Sequence, residues 1–138
     1  MNQIKSLVFI FTLSVLTNHL LAFGEGKVCK GQYNKDKGEI WHECIGEISR
    51  EDGVYKGNFR FNVPNGKGTH TWESGQVYEG EWVDGQPSGK GTLTLYDGGR
   101  YVGDFVDGKR EGQGVINLKS GDEYIGQWKA DEMHGKGT

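Results

Sequence analysis

The chain carries no cluster of Lys or Arg, and its formal net charge is −3 with both signs interspersed. That excludes the basic footprint by which proteins hold nucleic acid or an anionic membrane. Cysteine is scarce: Cys29 and Cys44 are the only two. There is no C-x₂₋₄-C pair, and His42-Glu43-Cys44 with Cys29 offers fewer nitrogen and sulfur donors than the four of a structural zinc site. Long apolar runs are missing as well. The longest, Leu7–Leu16, is soon interrupted by Thr17, Asn18 and His19, short of the roughly 20 apolar residues of a spanning helix. It follows Lys5 and precedes the small residues Ala22 and Gly24, the three-part form of a secretory signal peptide, here a helix over residues 1–24. Cys29 follows Lys27-Val28, which argues against bacterial lipidation. In an exported chain, periplasmic or secreted, an even cysteine count reads as a Cys29–Cys44 disulfide. Such a bridge closes a loop of about 15 residues and contributes about 3 kcal/mol in the chain-entropy picture.

Glycine is what the chain has in excess, 24 in 138 residues, and the glycines fall in columns. The pattern aromatic-x-Gly-x-aromatic starts at Tyr55, Tyr78, Tyr101 and Tyr124, each 23 positions after the last, as YKGNF, YEGEW, YVGDF and YIGQW. Gly66/Gly68, Gly89/Gly91, Gly112/Gly114 and Gly135/Gly137 keep the same step, as do Gly75, Gly98 and Gly121. A fixed period denotes one small supersecondary unit copied in a row.

Within a copy, Tyr78–Val83 mostly alternates aromatic or Gly with charged residues, the period of a half-buried strand. Asp84-Gly85 is a turn signal, with Gln86-Pro87-Ser88 extending the loop. Gly89–Leu95 alternates again, with both glycines and both leucines on one face, and Asp97-Gly98 turns into the next copy. One copy is therefore one β-hairpin. Tyr55, Phe59, Tyr78, Trp82, Tyr101, Phe105, Tyr124 and Trp128 share a face and form the core stripe, a candidate binding stripe too. The glycines of the second strand make room for these rings. The opposite face, with Asn58, Glu81, Asp104, Gln127, Lys67, Lys90, Gln113 and Lys136, reads as polar and solvated. The predicted fold is all-β: an elongated single-layer antiparallel meander of successive hairpins, advancing roughly 10 Å per copy.

These residues resemble the MORN (membrane occupation and recognition nexus) repeat, over Tyr55–Thr138, as copies at 55–77, 78–100, 101–123 and 124–138, the last incomplete. The resemblance implies a rod-like or curved sheet of hairpins with a binding or scaffolding role and no chemistry of its own. In other proteins such arrays sit beside catalytic domains. Cys29-Lys-Gly-Gln-Tyr33 and Cys44-Ile-Gly-Glu-Ile48 look like degenerate copies, so residues 25–54 are expected to form an N-terminal cap.

The catalytic and ligand-binding alternatives are weaker. Glu79 and Glu81 share a strand face, as paired acid and base carboxylates do, yet their equivalents are Val102/Asp104 and Ile125/Gln127. His134 occupies a variable slot shared with Asn65, Ser88 and Glu111, read as a loop. The three Gly-Lys-Gly-Thr stretches lack the strand-to-helix context of a phosphate loop. The Asp-Gly pairs lack calcium-loop spacing. The expectation is an exported, non-enzymatic binding or scaffold module without cofactor or metal, its protein partner unidentified. Self-association through the last strand is an allied expectation. The alternatives are a phospholipid-associating module, which the charge pattern disfavours, and the targeting arm of a larger envelope enzyme.

Overall fold

The computed structural model describes residues 26–30, 38 and 40–138. The leader expected over residues 1–24 lies outside them. Nine strands follow one another: β1 Cys44–Arg50, β2 Gly53–Arg60, β3 Val63–Trp72, β4 Val77–Val83, β5 Gln86–Thr94, β6 Arg100–Val106, β7 Lys109–Asn117, β8 Glu123–Lys129 and β9 Glu132–Gly137. They form one antiparallel sheet in chain order. The described residues contain no helix and no second layer.

Two turn types alternate. Within each copy the link is two residues long, and both have positive φ, as at Asp84 (47°) and Gly85 (84°). This twist suits tightly joined strands. Between copies the turn is longer: Gly98 N–H donates to Leu95 C=O, Leu95 N–H to Gly99 C=O, and Gly98 sits at φ 94°. The two-residue link corrects the expected long loop, because Gln86-Pro87-Ser88 already belongs to β5. Likewise His134 lies in β9, and Asn65, Ser88 and Glu111 lie in β3, β5 and β7.

A line of glycine crosses every strand. Gly46, Gly57, Gly68, Gly80, Gly91, Gly103, Gly114, Gly126 and Gly137 are successive register partners. Each tyrosine ring lies over one pair: a Cβ on Gly91 would meet the Tyr78 ring, and one on Gly114 the Tyr101 ring. Only the second glycine of each Gly-x-Gly pair seats a ring. The first marks a bulge, a second correction to the sequence reading. Between Gly80 and Trp82, β4 advances two residues while β5 runs four, from Gly91 back to Pro87. Gly89, at φ 86° and pressed on the Glu81 carboxylate, takes up the excess.

The bulge explains why the ring is tyrosine. Glu81 drops out of the β4–β5 register, and the Tyr78 hydroxyl donates to its carbonyl at 2.9 Å. Tyr55, Tyr101 and Tyr124 do the same for Asn58, Asp104 and Gln127 at 2.9, 3.1 and 3.1 Å. Burial, with the neighbouring Asp104 charge, pushes the Tyr101 hydroxyl up to about 12. Burial raises Tyr55 and Tyr78 as well. Tyr78→Phe keeps the ring but strands the carbonyl, at an expected cost of about 1–3 kcal/mol. Urea denaturation checks this, and a loss of only a few tenths would mean another donor replaces the hydroxyl.

At the N-terminal edge a disulfide joins Cys29 to Cys44. Residues 26–30 lie along β1, with Cys29 N–H donating to Ile45 C=O and Ile45 N–H to Lys27 C=O. Trp41 takes the seat over Gly46 that tyrosines take over later glycines.

Candidate functional site

The aromatic stripe is the core. Tyr55, Phe59, Tyr78, Trp82, Tyr101, Phe105 and Trp128 are all buried, and Tyr124 is half-buried. With Trp41 at the front, the rings form one unbroken edge-on chain, Trp41–Phe59–Tyr55–Trp82–Tyr78–Phe105–Tyr101–Trp128–Tyr124. Centroids are 4.9–5.6 Å apart and planes cross at 78–89°. Each such pair contributes about 0.5–1.5 kcal/mol beyond its burial. Two tryptophans also bond across copies: Trp82 Nε1 donates to Gly68 C=O at 3.1 Å and Trp128 Nε1 to Gly114 C=O at 3.4 Å. Because the rings hold one copy to the next, their faces are closed to a partner.

One slot of this side departs from its column. Where later copies place Leu93 and Ile116 opposite the tyrosine, the first places His70. The imidazole is buried, stacked on Trp72 at 4.5 Å and 6.1 Å from Trp82. Its Nε2 has no hydrogen-bond partner and stands 3.9 Å from Asp52 Oδ1. Burial lowers its pKa below the ordinary 6.5, Asp52 opposes that and Arg50 adds to it. The folded state thus prefers the neutral ring. The stability that His70 contributes is complete above the unfolded value and is lost as pH falls below it toward the lowered folded pKa. The wild type is expected to lose several degrees of Tm between pH 7 and pH 5 beyond any loss in His70→Leu. Parallel melting curves for the two proteins would show that the folded ring takes up its proton as readily as the unfolded one, with Asp52 as its acceptor.

The opposite face is where side chains remain free. Glu79 and Glu81 point there from β4, exposed, beside Lys67 and Lys90. Lys90 pairs with Asp104 across β5 and β6 and holds that carboxylate below its usual range. His42 is elsewhere, stacked on Phe61 at 4.1 Å, and His134 is exposed on the last strand. The Asp84-Gly85, Asp97-Gly98 and Asp107-Gly108 pairs all lie in turns. Among the described residues no group of three or more His, Cys, Asp or Glu could hold a metal ion.

This face carries shallow hollows, and it is not polar throughout. A hollow of about 530 Å³ spans β4 to β8, lined by Glu79, Lys90, Thr92, Val102, Gln113, Val115 and Ile125. A second, of about 310 Å³, adjoins it through Glu79, Lys90 and Thr92 and reaches Lys67, Glu81 and Arg100. Together they make a groove across the strands, floored by the bare backbone of the glycine line. Along one wall the register runs Lys56, Thr69, Glu79, Thr92, Val102, Val115, Ile125. The wall turns from charged to apolar along the sheet, and Val102 and Ile125 are 41% and 49% exposed. The other wall carries Lys67, Glu81, Lys90, Asp104, Gln113 and Gln127. The apolar wall was missed in the sequence because the face was judged from its other wall. The residue after each repeat tyrosine (Lys56, Glu79, Val102, Ile125) carried the signal.

Comparison with known families finds the MORN repeat at residues 55–77, 78–100, 101–123 and 124–138. No curated protein matches the chain.

Proposed function

Because the chain belongs to the MORN repeat family, we propose that it is a non-enzymatic binding or scaffold module, exported and acting on a protein partner. One observation carries this reading. The repeat rings are consumed by internal packing, whereas the opposite face keeps an apolar wall open beside polar groups. Interfaces use such mixed surfaces, with an apolar centre and a polar rim. Export is supported by the composition of residues 1–24 and agrees with the Cys29–Cys44 bridge. A non-catalytic role is supported by the recurrence of most notable side chains one period on.

Selection of displayed peptides on the full chain tests the reading. Enriched peptides are expected to lose binding when Ile125 is replaced by Glu. No enrichment, or enrichment indifferent to that change, would end it. Flotation with phosphatidylserine vesicles tests the lipid alternative. The groove mixes Lys67 and Lys90 with Glu79 and Glu81, and anionic-lipid binding needs aligned cations worth about 1 kcal/mol each, so no salt-sensitive binding is expected.

A further inference from the structure

We propose that the groove over the glycine line seats one amphipathic α-helix of a partner protein, lying across the strands along the length of the sheet. This rests on the binding-module reading and names its occupant. The first support is shape. The shallow hollow runs over five strands and its floor is backbone at Gly91, Gly103 and Gly114. A convex ridge of side chains, as on a helix, enters the groove.

The second support is period. Val102, Val115 and Ile125 stand on three consecutive strands in direct register, so they recur about every 4.8 Å. A helix presents one side chain per turn to a given line, about every 5.4 Å. Over two steps the mismatch is only about 1.2 Å. An extended chain laid the same way shows same-side residues about every 6.8 Å and falls out of step at once. The third support is charge. Past Thr92 the groove bears Lys67, Glu79, Glu81 and Arg100, and among the described residues none of these four joins an ion pair. They complement a helix that is apolar for about two turns and then carries both signs.

The probe is an alanine-rich peptide of about 18 residues, about five helical turns. Leucine recurs once per turn in one half, and Glu and Lys alternate in the other. A control of the same length and charge carries two internal prolines, which block the helix. Binding to the full chain is read by fluorescence anisotropy, for wild type, Val102→Glu and Ile125→Glu. Both replaced side chains are nearly half exposed, and unchanged melting temperatures certify the folds. The helical peptide is expected to bind in the micromolar range, at least tenfold more weakly to each variant, and the proline control at least tenfold more weakly to wild type. Equal binding to wild type and variants, or none to wild type, overturns the proposal. A proline control that binds as well as the helix, and is lost in both variants, overturns the helix while leaving the groove as a protein-binding face. Display selection judges the broader reading independently.

Discussion

Trp82→Ala is expected to lower stability by about 3–5 kcal/mol, the cost of emptying a buried indole site. The consequence is larger than one cavity, because of where the ring stands. Trp82 belongs to the second copy, yet it packs on Tyr55 of the first at 4.9 Å, on its own Tyr78 at 5.4 Å, and donates to Gly68 C=O. Removing it breaks the aromatic chain at a joint between copies. In a linear array, stability is approximately a sum of unit and nearest-neighbour terms. The variant is therefore expected to melt unevenly: hydrogen exchange should quicken most in β1–β3 and least in β6–β8. Uniform acceleration would mean the main-chain ladder alone carries the coupling.

Gly91→Ala is the second large effect. One methyl group is added, but it has nowhere to go. It would lie 2.5 and 2.6 Å from the Tyr78 ring carbons Cε2 and Cζ. That ring is 0% exposed and wedged between Trp82 and Phe105, so it cannot swing away. A loss of about 3 kcal/mol is expected, the upper end of the usual overpacking range. Gly98→Ala is the matched control. Its methyl group meets no atom within 4 Å, and the only penalty is a φ of 94°, about 1–2 kcal/mol. Urea midpoints for the two variants order the causes. A milder loss at Gly91 than at Gly98 would show that the Tyr78 ring gives way to the added methyl group, and that lack of room is not what keeps glycine in the line.

Much of this was legible in the sequence because the repeat averages out noise. Four tyrosines and four aromatic partners in step could belong only to equivalent places, and the alternation around Tyr78 and Leu93 fixed which face they share. What the pattern concealed was two-dimensional. Gly89 and Gly91 look alike in a string, yet one bends the strand under Glu81 and the other seats Tyr78. Only the pairing register separates them. Arg110 stands in the slot of Pro64 and Pro87, and its role emerges only in space: its guanidinium lies 4.4 Å from the Trp128 centroid, held by Asp131 at 3.0 Å. The groove was hidden for a similar reason. Val102, Val115 and Ile125 are each separated by ten or more residues, and cross-strand registry makes them neighbours.

The order of the strands also bears on how the molecule meets tension. A pull applied between the two outer edges of the sheet acts at right angles to the strands, so it loads one row of hydrogen bonds at a time, as in peeling tape. Resistance then comes in steps of one hairpin, each tied to the one before by a turn amide, as Gly85 N–H on Pro64 C=O, with an indole on a glycine carbonyl added at Trp82 and Trp128. The covalent link between Cys29 and Cys44 holds residues 26–30 against the first strand, so peeling there cannot carry that flap away. Such a chain yields gradually under load and rezips from whatever hairpin is still closed.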